Sequence, residues 1–480
     1  MKLFISMLFS VILLSVNIVI AEEKIELADY ISQCKKDLDF FRESVKKNSS
    51  VYTNKSDTVF QAWFNKGYED TLELINAISD KNDCNYAMKY YINGFNQSHI
   101  ALRSYIPLPV EQYPGFLSVK KGADHVVMYK HSALKEYLKN MSVGDKITHI
   151  NDVSIDKYYK DYILPFYAAD NSELTLTSSS IYAFILDGNR FKPVARSVTF
   201  VHNDESVKIN LKYTELKGSA LAAVKQVRQP VVSDSFKVEM VSDGVWIRIP
   251  SFFPSRQEVV YYTGMLSTLK KELSKEDYIL FDLRGNRGGD SKWSRSIIRN
   301  LWGDEFIKSL GKGHTYNSQW KKLLRVSTEN FTEFKNTYGA AASATYAAAL
   351  KKGEDYFLKK WSIFRDKNYL YTNKDNSKFN AKIYVLTDQF CRSTCWTFVN
   401  ELKQMPNVVH LGQTTTIQSV YSHAKQVRAP SEHFDFFYPT QIRVQPEYKL
   451  YQPLVPSEIY EDNFRDEASL INWVLSITEK

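Results

Sequence analysis

The sequence predicts a multi-domain α/β protein, and three changes of pattern along its 480 residues support that prediction. Residues 26–105 place apolar side chains three and four positions apart, which is typical of amphipathic helices. Residues 106–215 contain short β-like stretches separated by turn residues. From about residue 235 onwards, apolar strands alternate with helical segments, and this alternation indicates an α/β core with a mainly parallel sheet.

The amino terminus has the pattern of a cleavable export signal. Lys2 precedes an apolar run that ends at Ile20, and Ala21 completes a small-x-small cleavage pattern. Residues 1–21 are therefore predicted to be a signal peptide, cleaved after Ala21 to leave a periplasmic or secreted bacterial protein. An uncleaved membrane anchor is the rival interpretation, because the run is almost long enough to span a bilayer. We expect no membrane span in the mature chain.

Charge and motif content exclude several classes of partner. The formal net charge of +8 is spread along the sequence, and no basic stripe is interleaved with aromatic residues. We therefore expect no nucleic-acid partner. No pair of residues has a metal-binding spacing such as H-E-x-x-H, so neither a metal nor another cofactor is predicted. The sequence does not indicate an oligomeric state.

Four cysteines follow the predicted signal: Cys34, Cys84, Cys391 and Cys395. Exported chains tend to pair their thiols, and of three possible pairings we favour Cys34–Cys84 with Cys391–Cys395. Free buried thiols are a second interpretation of Cys391 and Cys395. A thiol nucleophile is a third, because the start of a helix would stabilise a thiolate.

The stretch VGDKITHINDVSID resembles the G-D-x-I-x-x-I-N signature of PDZ modules. Gly144-Asp145 is predicted to form one turn and Asn151-Asp152 a second turn at the end of a hairpin. An ordinary β-hairpin uses the same turn residues, so that interpretation stays open.

Two further stretches contain residues that can carry chemistry, and the first is DLRGNRGGD, residues 282–290. In it an apolar strand ends in Gly285, Gly288 and Gly289. Glycine permits tight turns with positive φ and exposes backbone N–H groups. The stretch therefore predicts either an oxyanion site or a simple strand-to-helix turn.

The second stretch is DQFCRSTCW, residues 388–396, between the strand-like KIYVLTDQF and the helix-like STCWTFVNELKQM. Ser393 is thus predicted to lie at a strand-to-helix elbow, where the helix dipole favours developing negative charge. The competing interpretation is an N-cap serine, which is common at helix starts.

Three stretches together resemble motifs of the tail-specific (carboxyl-terminal-processing) and tricorn-core serine peptidases, and they occur in the same order as in that family. They are DYILFDLRGNRGGD, IYVLTDQFCRSTCWTFVNELK and VVHLGQTTT. The resemblance covers residues 236–480 and extends upstream to the PDZ-like stretch and to QSHIAL. It implies a crotonase-like α/β catalytic core. The implied domains are an N-terminal helical region (22–105), a PDZ-like domain (106–215) and a peptidase core (216–480) with a helical insertion at about 304–378.

The same resemblance implies roles for individual residues. Ser393 falls on the position of the nucleophile. Gly288 and Gly289, together with the backbone N–H of Thr394, fall on the oxyanion-hole region. Each of these roles is an expectation that the geometry of the elbow has to support.

The general base distinguishes two branches of the family. One branch uses a lysine, but Gln418 stands at that position, and Lys425 is displaced from it by seven residues. The tricorn-like branch uses a histidine preceded by serine, which here is matched by Ser98-His99. The resemblance therefore implies His99 as general base and Ser98 as a residue that orients the imidazole; His423 is an alternative base.

An acidic fourth member occurs late in the tricorn-like branch. Its nearest match is Glu447, with Glu458 as the alternative, although the glycine and aspartate of the neighbouring family turn are replaced here.

The expected function is that of an exported serine-type endopeptidase or carboxyl-terminal-processing peptidase acting on peptide or protein substrates. A catalytically inactive peptide- or ligand-binding homologue is the alternative, because the lysine is missing and the late turn is altered. A structural envelope protein is a third possibility, but it leaves the glycine turn and the serine elbow unexplained.

Overall fold

The computed structural model describes residues 27–134, 136–228, 235–241, 243–268, 277–303, 305–306, 320–361, 381–444, 452–462 and 464–478. The predicted signal peptide and its cleavage site lie outside these ranges. Within them, no helix combines the length and the apolarity that crossing a membrane requires.

The N-terminal region is helical, as the apolar spacing predicts. A helix covers residues 27–48 (α1), and three more follow: Ser50–Thr53 (α2), Thr58–Asn76 (α3) and Lys81–Gly94 (α4). Asp57 caps α3 by accepting a hydrogen bond from the N–H of Phe60, and Asp80 with Asp83 forms a capping box at the start of α4. A disulfide between Cys34 and Cys84 joins α1 to α4. The chain then enters a short strand, Ala101–Ser104 (β1).

The next region is built on antiparallel strands. They are Gln112–Tyr113 (β2), Phe116–Lys121 (β3), Asp124–Lys130 (β4), Lys146–Ile150 (β5), Val153–Ser154 (β6), Ser197–His202 (β7), Glu205–Asn210 (β8) and Thr214–Glu215 (β9). One sheet has the order β3-β4-β5-β7-β8, with β6 added to β5, and β2 pairs with β9. Asn151 and Asp152 have φ of 49° and 64° and form the predicted hairpin turn between β5 and β6.

A mostly helical connection joins β6 to β7 and contains Ile155–Tyr158 (α5), a π-helical turn at Tyr159–Ile163, Leu164–Tyr167 (α6) and Glu173–Ser180 (α7). Two hydroxyls of α7 bond the edge of β3: the N–H of Lys120 donates to Ser180 Oγ at 2.7 Å, and Thr177 Oγ1 donates to the Lys120 carbonyl at 3.1 Å. These bonds fix α7 on the strand edge. The next helix is Gly218–Arg228 (α8).

The core contains the predicted, mainly parallel sheet. Its strands are Lys237–Val241 (β10), Gly244–Arg248 (β11), Tyr278–Asp282 (β12), Lys382–Thr387 (β15), Val408–Gly412 (β16) and Glu458–Ile459 (β19), in that spatial order. Only β10 runs antiparallel to its neighbour among these described strands. The order in space follows the order in sequence, so each connection moves the chain one strand further across the sheet.

Helices cover both faces of this sheet: Arg256–Thr268 (α9), Ser291–Trp302 (α10), Thr394–Leu402 (α12) and Glu467–Thr478 (α13). Alternate strand residues face opposite ways. Ile279, Phe281 and Val385 pack with α9, α10 and α12, whereas Leu280 and Leu386 pack with α13. Burial on both faces accounts for the continuous apolar runs in the sequence.

The predicted helical insertion at about 304–378 is only partly helical. Its described part contains Trp320–Arg325 (β13), Thr328–Lys351 (α11) and Tyr356–Trp361 (β14), and α11 is kinked at Gly339, where φ is 80°. The two strands pair with each other, and β13 also pairs with Phe434–Val444 (β18). The Lys- and Leu-rich residues of these strands favour a helix locally, which is why the sequence predicted one. The pairing of β13 with β18, which is distant in sequence, overrides that local propensity.

Strand β18 links the two ends of the chain. It pairs with Tyr421–Arg428 (β17) on one edge, and with β1 and β13 on the other. The helices α1–α4 share a hydrophobic core with β17 and β18; the ring centroids of Phe41 and Phe436, for example, are 4.8 Å apart. This packing fixes the residues just before β1, including His99, relative to the late strands of the chain.

Candidate active site

The first half of DLRGNRGG is a buried ionic network. Arg284 Nη2 lies 2.7 Å and Arg248 Nη2 3.0 Å from Asp282 Oδ2, and Arg284 Nη1 donates to Glu467 on α13 at 3.0 Å. Burial alone would raise the pKa of Asp282, but the two guanidinium groups outweigh it and the pKa is lowered. The Asp and Arg of the motif therefore hold the end of β12 in place.

The second half of the motif shapes the backbone beside the elbow. Asn286 donates to the carbonyl of Ile249 at 2.8 Å, and its Oδ1 accepts the N–H of Gly288 at 2.8 Å. The N–H of Gly288 is thus already occupied. The carbonyl of Gly289 accepts from Thr394 Oγ1 at 2.6 Å, while the N–H of Gly289 has no hydrogen-bond partner in the described part of the chain.

Asp388 joins the glycine turn to the elbow, and sequence reasoning did not select it. Its two carboxylate oxygens accept the N–H groups of Gly285 at 2.8 Å and Phe390 at 3.0 Å. Burial raises the pKa of Asp388 to about 7. The sequence signal that could have identified Asp388 is its position directly after the buried strand β15. The carboxyl ends of neighbouring parallel strands lie at the same edge of the sheet, so such an acid lies close to the end of β12.

Ser393 does not act as a helix cap. Its φ of 55° and ψ of −121° are rare for a residue with a side chain, and its hydroxyl makes no capping bond to α12. By contrast, Ser327 caps α11 with extended backbone (φ −155°, ψ 163°) and accepts the N–H of Asn330 at 3.1 Å. Of the two interpretations that the sequence left open, the geometry therefore excludes the cap and agrees with a sharp strand-to-helix elbow.

Gly288 packs directly against this elbow. A Cβ at Gly288 would lie 2.8 Å from the Cβ of Ser393 and 2.9 Å from the backbone nitrogen of Thr394. The N–H of Thr394, the first residue of α12, has no partner in the ranges that the structure describes. Two backbone donors, on Thr394 and Gly289, are thus available close to the Ser393 side chain, which is the composition of an anion site.

The cysteines of the elbow form a disulfide. Cys391 and Cys395 are bonded across Ser393, and none of the four cysteines is free. Both pairs match the favoured pairing, and the interpretations with free or nucleophilic thiols are wrong. The loop GQTTT supports the same segment, because the N–H and the hydroxyl of Thr416 both donate to the Cys391 carbonyl, at 3.1 and 2.9 Å.

We expect Gly288→Ala to destabilise the protein by more than the usual cost of placing alanine at positive φ, about 1–3 kcal/mol. The added methyl group would meet the Ser393 Cβ and rigid backbone atoms, so the elbow must move and activity should fall. Thermal unfolding measures the first effect. Gly144→Ala is the matched control, because Gly144 has the same φ of 99° with nothing within 4 Å of its Cβ position. Equal destabilisation by both substitutions would contradict the close approach.

His99 lies between α4 and β1, in the segment held by the pairing of β1 with β18. Its Nδ1 is 3.5 Å from Ser98 Oγ, which is the outer limit for a hydrogen bond. Burial of the ring, with further contributions from the charges of Arg443 and Arg392, lowers the pKa of His99 to about 4. Arg392 directly precedes Ser393, so the structure brings His99 into the electrostatic surroundings of the elbow. Sequence reasoning missed both arginines.

The alternative bases are placed elsewhere. His423 Nε2 lies 3.1 Å from Glu333 on α11, and Lys425 Nζ lies 3.6 Å from the same carboxylate. Both side chains therefore pair with the insertion. Gln418, at the position of the family's lysine, is buried, 4% exposed.

The acidic member of the site stays a prediction. Glu447 lies outside the described residues. Glu458 is exposed in β19, and neither a hydrogen bond nor an ion pair links it to His99 in the described chain.

The site thus places a serine at a strained elbow of an α/β core, next to backbone N–H donors that have no partner in the described part of the chain. Residues 245–440 match the model of Peptidase family S41, which confirms the predicted family resemblance. The α/β, multi-domain fold class is confirmed as well. No curated protein sequence matches the chain.

Among solved structures, the chain is similar to mature CPAF in complex with lactacystin, with 12% identity, a TM-score of 0.58 and coverage of 93% of this chain and 98% of that chain. Mature CPAF alone matches with 11% identity, a TM-score of 0.57 and coverage of 90% and 93%. A serine-to-alanine mutant of CPAF matches with 10% identity, a TM-score of 0.54 and coverage of 94% of this chain and 97% of that chain. At such low identity these likenesses show a shared fold.

Proposed function

We propose that the chain is an exported serine peptidase that hydrolyses peptide bonds through an acyl-enzyme at Ser393, with His99 as general base. The observation that carries this proposal is the conformation of Ser393. A strained serine that makes no capping bond at the N-terminus of α12 and touches Gly288 is unexplained as a structural residue. It is explained if the hydroxyl has to reach a substrate carbonyl.

The proposed reaction follows from this arrangement. Ser393 Oγ attacks the scissile carbonyl as His99 takes its proton. The oxyanion of the tetrahedral intermediate accepts hydrogen bonds from the N–H groups of Thr394 and Gly289, while Gly288 permits the close approach. His99 then gives the proton to the leaving amine. Water attacks the acyl-enzyme by the same route, releasing the second product and restoring Ser393.

Ser98 and an acidic residue complete the proposed site. Ser98 would orient the imidazole through Nδ1, a contact that at 3.5 Å has to shorten when substrate binds. Glu447 is the proposed acidic member, with Glu458 as the alternative. An acid near His99 would stabilise the imidazolium that forms during attack, against the opposing charges of Arg392 and Arg443.

Two cavities could admit the peptide. One, of about 360 Å³, lies between α7, Lys120 of β3 and the GQTTT loop; the other, of about 320 Å³, is lined by Trp63, Tyr90 and Pro165. Asn171 of the helical connection borders both cavities. The PDZ-like region would bind the peptide by strand addition. Hydroxyls of α7 already occupy the edge of β3 at Lys120, so addition would require a different stretch of edge.

The proposed site is compatible with endopeptidase activity and with carboxyl-terminal processing. The two activities differ in whether the substrate needs a free carboxyl terminus. A peptide cleaved equally well with a free and an amidated carboxyl terminus would identify an endopeptidase. Loss of cleavage on amidation would identify carboxyl-terminal processing. Export with cleavage after Ala21 is part of the proposal, and N-terminal sequencing of protein from the producing cell tests it.

An inactive peptide-binding homologue is the second candidate, favoured by Gln418 at the lysine position. A fluorophosphonate probe separates the two, because it phosphonylates an activated serine and leaves an ordinary hydroxyl unmodified. Labelling that is lost in Ser393→Ala supports the peptidase. Complete absence of labelling in the folded wild-type protein favours the binding homologue.

The pH dependence of kcat/KM tests the base. His99 must be neutral to accept a proton, and its folded-state pKa of about 4 keeps it neutral well below pH 6.5. We expect kcat/KM to stay level from neutral pH down past 6.5 and to fall about tenfold per pH unit below about 4. The same shift makes the folded protein lose stability as the pH falls from 6.5 towards 4, because the unfolded chain binds the proton more readily.

A far-ultraviolet circular dichroism spectrum that stays native across the acid limb would show that the limb is a titration and not unfolding. An acid limb centred near 6.5 would contradict this environment for the base.

A further inference from the structure

A cavity of about 180 Å³ lies beside the elbow and contains three arginines from three different elements. Arg392 precedes Ser393, Arg287 belongs to the glycine turn, and Arg228 ends α8. The opposite wall is α7, which contributes Thr175 and Ser178. Because Arg392 is the residue directly before the proposed nucleophile, the cavity adjoins the segment that carries Ser393.

Two acids act through their charge on the arginines of this cavity: Glu111 on Arg228, and Asp170 on Arg392. None of the three guanidinium groups forms an ion pair with an acid in the described part of the chain. Arg287 instead donates to the carbonyl of Arg228 at 3.3 Å and lies over the ring of Phe390, 5.3 Å from its centroid.

The carboxylate of Asp170 is also held by hydrogen bonds from Ser172. It accepts both the N–H of Ser172 at 2.9 Å and the hydroxyl of Ser172 at 2.6 Å. Burial and the charge of Arg287 lower the pKa of Arg392, which shows that the arginines disfavour one another as charged groups. An anion in the cavity would remove that repulsion.

We infer that Arg228, Arg287 and Arg392 form a subsite that binds a carboxylate of the peptide substrate close to the scissile bond. This inference rests on the proposed function and narrows its substrates to acidic peptides. Guanidinium groups match carboxylates because they donate two parallel hydrogen bonds from a planar fork. Thr175 and Ser178 add hydroxyl donors on the far wall.

A competition experiment tests the subsite. The mature protein receives an equimolar mixture of two acetylated, amidated peptide libraries of neutral residues, identical except that one position is Glu in the first and Gln in the second. Mass spectrometry follows the depletion of each. We expect Glu peptides to be cleaved about tenfold faster when the acid lies within a few residues of the cut. Gln peptides with a free carboxyl terminus form a third arm, which distinguishes a terminal carboxylate from a side chain.

Variants of α8 provide the control. Arg228→Gln should lower the Glu preference about threefold, since this exposed arginine is one of three contributors. Lys225→Gln removes the same charge one turn earlier on α8, outside the cavity, and should leave the preference unchanged. Thermal unfolding of both variants checks that the fold is kept.

Equal cleavage of all three libraries would overturn the subsite and leave the peptidase intact. If nothing is cleaved, the proposed function fails, and the subsite is tested by retention of the same libraries on immobilised Ser393→Ala protein. Preferential retention of carboxylate peptides that Arg228→Gln weakens supports the subsite; equal retention, or none, overturns it.

Discussion

Ser393→Ala lowers kcat/KM for peptide hydrolysis by at least about 10⁴-fold and leaves the stability of the fold unchanged. The loss is expected because the nucleophile of the acyl transfer is removed, and residual activity could come only from binding and the oxyanion donors. Stability is kept because the hydroxyl makes no capping bond to α12 that the substitution could break. Peptide hydrolysis and thermal unfolding of the same preparation measure the two effects.

Ser327→Ala is the matched control for this substitution. Ser327 is a true cap of α11, so its removal should lower the free energy of unfolding by about 1 kcal/mol with activity preserved. The two serines thus give opposite patterns, one catalytic and one structural. Retained hydrolysis in Ser393→Ala would remove the serine from the mechanism.

His99→Ala produces a loss of similar size, at least about 10⁴-fold in kcat/KM, because Ser393 is then left without a proton acceptor. The double variant Ser393→Ala, His99→Ala should be no less active than either single one, since two residues that act as a unit give non-additive losses. Additive losses would indicate that the two side chains serve separate steps.

His423→Ala serves as the control for His99→Ala. The side chain of His423 is exposed and pairs with Glu333, so its removal should change kcat/KM by no more than about twofold. If instead His423→Ala abolishes hydrolysis while His99→Ala is active, the base has been assigned to the wrong histidine.

The elements that flank the elbow could be predicted because their patterns are local. The run KIYVLTDQF became β15, and the segment that follows it became α12, as apolar runs and helical spacing indicated. The state of Ser393 could not be predicted, since serine is common at helix caps and also occurs at elbows, and the residue type does not determine the sign of φ. The occupied N–H of Gly288 likewise depends on the rotamer of Asn286.

The position of His99 depends on contacts that are distant in sequence. Its segment is fixed by the pairing of Ala101 with Phe437, which no local pattern reveals. The same is true of β13, which pairs with β18 although its residues favour helix. Motif order, which followed from the family resemblance, was therefore a better guide to the site than periodicity.

The most direct test is to trap the acyl-enzyme. Wild-type protein is mixed with p-nitrophenyl acetate, quenched in acid within the first turnover, reduced, alkylated and digested with trypsin, which releases residues 393–403 as one peptide. The peptidase mechanism predicts that this peptide gains the mass of one acetyl group at Ser393 and that Ser393→Ala protein gains none. Acetylation confined to another residue, or turnover of the ester without any adduct on this peptide, would contradict it.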